Sequence, residues 1–253
     1  MAVQIVRLKI QSLELKECAN MPNELILILS LLLIFSMLIL FYRVFGVTGI
    51  YCWTVLATIT ANIEVLMVVD AFGMEQTLGN VLFASTFLAT DILSEVAGKK
   101  QADRAVNLGI VTSIVFILIS QSWFLYTPSA SDWVMPSIKT IFSNTPRVML
   151  SSLLVYAVTQ RFDVWIYHKW WAYTKKKYGD TERFLWLRNN GSTLLSQLLN
   201  SIFFTFGAFW GIYDTETLLA ICASSYVIYI VTSLADTPFV YLARKISAKV
   251  PQD

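Results

Sequence analysis

Two carboxylates lie four residues apart inside an apolar stretch, residues 83–100, which reads FASTFLATDILSEVAGKK. Residues four apart are neighbours on one face of a helix, so Asp91 and Glu95 should project together. Ionisable groups inside a membrane helix are costly and generally indicate a substrate or ion path. For Glu95 an ion pair with Lys99, four residues later, is an equal alternative. Asp91 lies one turn deeper with no basic residue within a turn, which favours a functional role.

A second polar face is uncharged. In the segment WLRNNGSTLLSQLLNSIFF, Thr193, Gln197 and Asn200 recur at three- and four-residue spacing and so share a helix face. Hydroxyl and amide groups on one face suit a neutral polar ligand. They equally suit hydrogen bonds between packed membrane helices, and the sequence leaves both readings open.

Two further segments contain candidate residues. Asn62 and Glu64 are two apart and point in nearly opposite directions on a helix. Asn62 could bind a ligand or clamp two helices, and Glu64 is near enough to the membrane boundary to reach water. Gln160 and Asp163 share a face, and Tyr167 follows one turn later.

Two other polar residues have structural explanations. His168, the only histidine, lies beside lysine and tryptophan residues, a pattern typical of an interfacial anchor rather than a proton relay. Asp236 precedes a Thr-Pro pair, so a broken or kinked helix end explains it as well as a binding site does.

These side chains must be positioned by membrane helices. The 253-residue chain is 56% hydrophobic and only 14% charged, whereas soluble domains are about 25% charged. Spanning helices need roughly 20 mostly apolar residues. By that measure there are seven candidate spans, at residues 25–42, 47–69, 78–97, 105–126, 146–168, 191–211 and 217–241. The apolar runs are continuous, as in helices, and lack the alternation of a membrane barrel.

The sequence therefore predicts an all-α, polytopic transmembrane bundle of six or seven spans. We expect one integral membrane domain over residues 1–253, with 1–24 as a short N-terminal extension. We also expect the sixth span to begin near Gly191, with Asn189 or Asn190 and Ser192 as capping residues.

Charge is distributed unevenly between the loops. Basic residues cluster after the third, fifth and seventh spans, and acidic residues dominate the alternate loops. The positive-inside rule then places the basic loops and the C-terminus in the cytoplasm. Seven spans put the N-terminus outside, although it carries Arg7, Lys9 and Lys16. If the first run only lies in the membrane interface, six spans remain and the N-terminus is inside.

Several other functions lack their sequence signatures. One histidine and three scattered cysteines cannot build a metal site, and no cofactor is expected. There is no G-x-S-x-G nucleophile elbow and no Walker-type phosphate loop. An enzyme is therefore not expected, and neither is nucleic-acid binding, since the basic loops are explained by membrane topology.

Three blocks of this sequence together resemble the queuosine precursor transporter family, also called the vitamin uptake transporter family. They are FLATDILSEVAGKKQADRAVNLG, NTPRVMLSSLLVYAVTQRFDVWIYHK and WLRNNGSTLLSQLLNSIFF. The resemblance implies a fold similar to the substrate-binding subunits of energy-coupling-factor transporters. It also implies a central site formed by Asn62, Asp91, Glu95, Asp163, Gln197 and Asn200.

The chain departs from the family pattern at three positions. Met67 stands where the family often has a lysine, Asn200 where it usually has an aspartate, and Glu64 where the residue is normally apolar. Glu64 is retained as a seventh candidate binding residue. The changes at Met67 and Asn200 remove one base and one acid, which leaves the exact substrate open.

The resemblance implies an importer of a small planar heterocycle, a 7-deazaguanine precursor of queuosine, in the inner (plasma) membrane. The expected partners are that small molecule and the lipid bilayer. Two alternatives remain. One is a vitamin-binding subunit that needs an energy-coupling partner, and the other is an importer of another nucleobase-like vitamin. The sequence indicates no oligomeric state.

Overall fold

The computed structural model describes residues 22–142, 146–179 and 184–250. This part of the chain contains seven α-helices and one two-stranded antiparallel hairpin. In chain order the elements are α1 (Asn23–Glu64), β1 (Val68–Ala71), β2 (Met74–Thr77), α2 (Gly79–Val96), α3 (Lys99–Ser122), α4 (Met135–Phe142), α5 (Pro146–Tyr178), α6 (Leu185–Phe209) and α7 (Thr215–Ile246). Single 3-10 turns follow α3 and α7, at Trp123–Leu125 and Ser247–Lys249.

Helix α1 doubles back on itself at Gly46, whose φ of 61° and ψ of −144° lie outside the helical region. A straight helix of this length would extend about 63 Å. Instead, Asn23 at its start donates a 2.8 Å hydrogen bond to the carbonyl of Asp70, just beyond its end. Phe41 and Trp53 pack edge to face across the turn, with ring centroids 5.6 Å apart. The two halves are thus antiparallel and correspond to the first two predicted spans.

The hairpin after α1 was not predicted from the sequence. Its turn residues, Phe72 and Gly73, both have positive φ angles, of 55° and 72°, as a type I′ turn requires. Glu24 accepts a 2.9 Å hydrogen bond from the N–H of Phe72, which ties the start of α1 to the turn. The second span, expected to reach residue 69, ends as a helix at Glu64 because the chain turns into this hairpin.

Helix α2 lies at the centre of the bundle. Fifteen of its 18 residues are buried, since α1, α3, α5 and α7 pack around it. A helix surrounded in this way presents polar groups to its neighbours rather than to lipid. The acidic residues of α2 therefore face the protein interior.

The bundle has a basic end and an acidic end. At the basic end the close of α2, the start of α6 and the close of α7 meet, where Glu95 contacts Arg188 and Arg244. At the acidic end lie the hairpin, the start of α1, the start of α5 and the end of α6. There Arg147 donates hydrogen bonds to the carbonyls of Gly207 and Trp210.

Three helical stretches are long and apolar enough to cross a bilayer by length and composition: Asn23–Glu64, Lys99–Leu125 and Thr215–Lys249. Helices α2 and α6 occupy predicted spans but are less apolar, because their buried faces carry hydroxyl, amide and carboxyl groups. The all-α prediction is confirmed.

Candidate functional site

Asp91 lies in the middle of the bundle, only 1% exposed. Thr193, across the interface on α6, donates a 3.0 Å hydrogen bond to its Oδ2 atom. The Oδ1 atom has no partner in the described part of the chain. A buried carboxylate with one unsatisfied oxygen is costly, so such an oxygen commonly marks a place for a donor.

Asp163 on α5 repeats this arrangement. Ser196 donates a 2.8 Å hydrogen bond to its Oδ1 atom, while Oδ2 is buried and unpartnered among the described residues. The carboxyl groups of Asp163 and Asp91 are near enough to interact directly. Their side chains lie within hydrogen-bond range of each other, so α2 and α5 bring together two carboxyl groups that can share one proton.

Asp236 on α7 adds a third carboxyl group, 2% exposed and within electrostatic range of both other acids. Asn189 donates a 2.8 Å hydrogen bond to its Oδ1 atom. We call Asp91, Asp163 and Asp236 the acid cluster. Within the residues that the structure describes, the ion pairs involve none of the three. The cluster therefore has an excess of hydrogen-bond acceptors.

Gln197 contributes a complete amide to this region. It is 1% exposed, and neither its Nε2 nor its Oε1 atom has a partner in the described residues. Gln160 shows the opposite state, since its Nε2 donates to Thr86 at 2.7 Å and its Oε1 accepts from Thr90 at 3.1 Å. Gln160 thus holds α5 against α2, whereas the hydrogen-bonding capacity of the Gln197 amide is unused within the described residues.

Two small cavities lie on the acidic side of the cluster, with volumes of about 30 and 10 Å³. Asn200 lines the larger and Asn62 the smaller, and Phe83 contributes to both. Ten to fifteen Å³ is enough for about one water molecule, so a bicyclic base needs these walls to move apart. Neither cavity holds a bicyclic base in this arrangement of the helices.

Glu95 is committed to an ion-pair cluster. Its carboxylate accepts hydrogen bonds from Arg188 at 2.7 Å and from the hydroxyl of Tyr167 at 2.8 Å, and Arg244 lies 3.1 Å away. We call these four residues the Glu95 cluster. The Arg188 guanidinium also lies 4.4 Å from the centre of the Trp171 ring, a cation–π distance. The cluster joins four helices at the basic end.

The alternative pairing of Glu95 with Lys99 is wrong. Helix α2 ends at Val96, and Gly98, with a φ of 84°, separates it from α3. Because the i,i+4 rule applies only within one helix, Lys99 pairs instead with Asp103, at 2.6 Å on the surface.

The predicted start of the sixth span is also wrong. Helix α6 begins at Leu185, so Asn189 and Asn190 lie inside it and do not cap it. Their side chains bond to α7 instead, since Asn190 donates to the hydroxyl of Thr237 at 2.7 Å. Helix α7 continues through Pro238 to Ile246, so the interpretation of Asp236 as a helix end is wrong too.

The seven predicted site residues fall into four places. Asp91 and Asp163 come together at the acid cluster, with Gln197 one helical turn beyond Thr193 on α6, and Asn62 and Asn200 line the small cavities. Glu95 lies one turn towards the basic end. Glu64 lies apart, lining a pocket of about 310 Å³ at the acidic end together with Asn23 and Ser30.

Arg188 and Arg244 were not among the predicted site residues, because they were counted with the basic residues that determine membrane topology. Arg188 is completely buried. The polar residues that directly follow it in the sequence were a possible signal of this, because they continue into the polar face of α6 rather than into a solvent-exposed loop. Tyr229, whose hydroxyl donates to Asn80 at 3.0 Å across the larger cavity, left no distinguishing signal among the many aromatic residues.

Residues 77–243 match the model of a family described as "Putative vitamin uptake transporter". The chain belongs to this family. The match confirms the resemblance seen in the sequence and spans every helix from α2 to α6 and most of α7. The family is one of transporters, which agrees with a bundle whose polar groups lie in its interior.

Two curated relatives of this family member are named for their substrate. A Bacillus subtilis (strain 168) protein, "Probable queuosine precursor transporter", is 39% identical over 219 residues, which cover 87% of this chain and 92% of the relative. An Escherichia coli (strain K12) protein, "Queuosine precursor transporter", is 25% identical over 151 residues, covering 60% and 63% respectively. No solved structure matches the chain.

Proposed function

We propose that this protein imports a small planar heterocycle, a 7-deazaguanine precursor of queuosine, with the acid cluster and Gln197 as its central binding groups. The observation that carries this proposal is a set of buried polar atoms: Asp91 Oδ1 and Asp163 Oδ2, whose carboxyl groups have only each other as a further partner in the described residues, and both ends of the Gln197 amide, which have none. The names of the two relatives agree with that ligand class.

The chemistry of a guanine-like base suits these groups. Such a base presents a ring N–H beside an exocyclic amine, and one carboxylate can accept hydrogen bonds from both. Charge-assisted bonds of this kind are about twice as strong as neutral ones. A second carboxylate can accept from the pyrrole N–H on the other side of the ring. The Gln197 amide has one donor end and one acceptor end, so it can complete the polar edge, including the carbonyl that carboxylates cannot bind.

The cavities on the acidic side suggest the route of entry. Asn62 and Asn200 offer amides there, and Phe83 and Tyr229 offer aromatic surfaces for a flat ring. A base that entered from the acidic end would contact these walls first and the acid cluster next. Because the cavities are small, the helices around α2 must separate for the base to pass.

We further propose that the basic end faces the cytoplasm of a cell whose inner (plasma) membrane holds the protein. The positive-inside rule supports this, since basic residues such as Lys100, Lys175 and Lys245 lie at this end. The antiparallel halves of α1 support seven crossings, with the C-terminus at the cytoplasmic side and the N-terminal extension at the other. Residues 1–21 lie outside the described residues.

The deciding experiment measures uptake by liposomes that contain only the purified protein. The concentrations of radiolabelled 7-deazaguanine inside and outside the liposomes are followed over time. Saturable uptake, absent from empty liposomes, supports a solitary carrier. Binding without uptake indicates a binding subunit that needs an energy-coupling partner. A thermal-shift screen against 7-deazaguanines, guanine and common vitamins separates the ligand classes, since specific binding raises the melting midpoint by mass action.

A further inference from the structure

A pocket of about 390 Å³ opens at the basic end, next to the Glu95 cluster. Ser94, Glu95, His168, Trp171, Ala172 and Lys175 contribute to its wall. We call it the Trp171 pocket. Its volume falls in the range of small-molecule sites, about 300–1,000 Å³, as does that of the Glu64 pocket at the acidic end, whereas the two cavities lined by Asn200 and Asn62 are far smaller.

The wall of the Trp171 pocket carries polar atoms without partners. Ser94 is completely buried, yet its hydroxyl has no hydrogen-bond partner in the described part of the chain. The Nε2 atom of His168 is buried and unpartnered there as well. The imidazole stacks parallel to the Trp171 indole, with an interplanar angle of 4°. Mostly apolar walls with a few converging polar groups are the usual composition of a ligand site.

The position of the pocket relates it to the transport path. Ser94 and Glu95 lie on α2 within about 6 Å, along the helix axis, of Asp91. The Glu95 cluster occupies that interval and joins α2, α5, α6 and α7 by ion pairs and hydrogen bonds. A ligand that leaves the acid cluster towards the basic end must therefore pass these ion pairs and enters the Trp171 pocket next.

We propose that the Trp171 pocket is a second binding site for the same planar heterocycle, separated from the acid cluster by the Glu95 cluster. This inference rests on the proposed function for the identity of the ligand. The Ser94 hydroxyl donates to a ring acceptor of the base, and the His168 nitrogen binds its edge. The Glu95 ion pairs break and reform between the two sites, so the ligand occupies them in succession.

The test uses site-specific thiol labelling in a background where Cys18, Cys52 and Cys222 are replaced by serine. Ala172→Cys places a thiol in the wall of the pocket at an exposed position, so the protein should fold normally. Lys177→Cys is the matched control, exposed on the same helix but about 140° around it. The purified variants are labelled with a bulky maleimide, with and without saturating 7-deazaguanine, and then reconstituted for uptake.

We expect the ligand to slow labelling of A172C about tenfold and to leave K177C unaffected. After labelling, A172C should lose uptake while K177C retains it. Adding Ser94→Ala should raise the ligand concentration that gives half-protection about 3- to 10-fold, as for loss of one neutral hydrogen bond.

An unchanged labelling rate of A172C in the presence of ligand overturns the second site, even if the label blocks uptake. The second site is also overturned if the ligand protects A172C equally well with and without the S94A substitution, because the protection then does not come from a ligand bound to Ser94. Uptake by the unlabelled parent is measured first. If the parent transports 7-deazaguanine and no protection occurs, only this inference fails. If the parent neither binds nor transports it, the proposed function fails as well.

Discussion

Thr193 of α6 donates a 3.0 Å hydrogen bond to one oxygen of Asp91 on α2, and the other oxygen of that carboxylate is buried without a partner in the described residues. The bond orients the carboxylate and leaves half of its accepting capacity unused. A residue kept only for helix packing would be expected to use both oxygens. Each acid of the cluster accepts one hydrogen bond from α6 and so joins two helices, and we propose that the remaining accepting capacity serves the ligand.

The first prediction concerns the carboxylates. Asp91→Asn and Asp163→Asn should each weaken binding of 7-deazaguanine about 10- to 100-fold, because each removes a charge-assisted hydrogen bond of roughly 1.5–3 kcal/mol. Neither change should lower the melting midpoint, since removing a buried charge without an ionic partner relieves a desolvation cost. Asp103→Asn, at an exposed acid, is the control and should leave binding unchanged. A lower midpoint with unchanged affinity would contradict this account.

A second prediction compares two glutamines. Gln197→Leu should reduce affinity for the ligand about tenfold while leaving thermal stability equal or higher, because both polar ends of that amide are unpartnered. Gln160→Leu should lower the melting midpoint, because it removes the two buried hydrogen bonds that join α5 to Thr86 and Thr90 of α2. Thermal melts and ligand titrations of the two purified variants provide the comparison. A lower melting midpoint for Gln197→Leu together with a lower ligand affinity for Gln160→Leu would contradict these roles.

A third prediction concerns the Glu95 cluster. Arg188→Gln removes one partner of a buried ion pair and should destabilise the protein strongly, since such changes typically cost about 3–5 kcal/mol. The double variant E95Q/R188Q should recover part of the lost melting midpoint, because the buried carboxylate is removed with its buried partner, while Arg244, which also loses Glu95, is partly exposed. Lys99→Ala, at the exposed pair with Asp103, should change the midpoint little. Equal melting midpoints for R188Q and E95Q/R188Q would show that Arg188 does not stabilise the protein by neutralising Glu95.

The fourth prediction concerns the turn in α1. A Cβ atom added at Gly49 would lie 2.1 Å from the carbonyl oxygen of Phe41, where only the backbone can give way. Gly49→Ala should therefore lower thermal stability and the yield of folded protein. At Gly207 the nearest atom to an added Cβ is the Ser151 hydroxyl oxygen, at 3.3 Å, so Gly207→Ala should be much milder. Size-exclusion profiles of the two variants in detergent measure the difference.

Much of the architecture follows from hydropathy. The predicted span at residues 78–97 agrees with α2 to within one residue at each end, because apolar length is set by the bilayer. The ends at the basic side were less predictable. Helix α5 continues past its apolar run into water, where its last lysines are exposed. Helix α6 begins before its apolar run because Leu185, Arg188 and Asn189 are buried in the bundle. The two antiparallel halves of α1 were predicted as two separate spans. Nothing in the sequence indicated how closely the two halves approach each other at Gly49.

The site was partly predictable for a different reason. The spacing of Asp91 to Glu95, and of Thr193 to Gln197, gives helix faces correctly, because α-helical periodicity is local. Which faces meet depends on how the helices pack. The pairing of Glu95 with Arg188 joins residues 93 positions apart in the chain, so no local rule could find it. The same is true of Asn189 and Asp236, which the sequence assigned to a helix cap and a helix end.

The most direct test of whether the acid cluster binds the donor edge of the base compares two ligands on three forms of the protein. Dissociation constants are measured for 7-deazaguanine and for 7-deazahypoxanthine, which lacks the exocyclic amine, with the wild-type protein, Asp91→Asn and Asp163→Asn. We expect the wild type to prefer the amine-bearing base by about tenfold or more, and we expect that preference to collapse in one of the two variants. If both variants discriminate as the wild type does, the acid cluster does not hold the donor edge of the base.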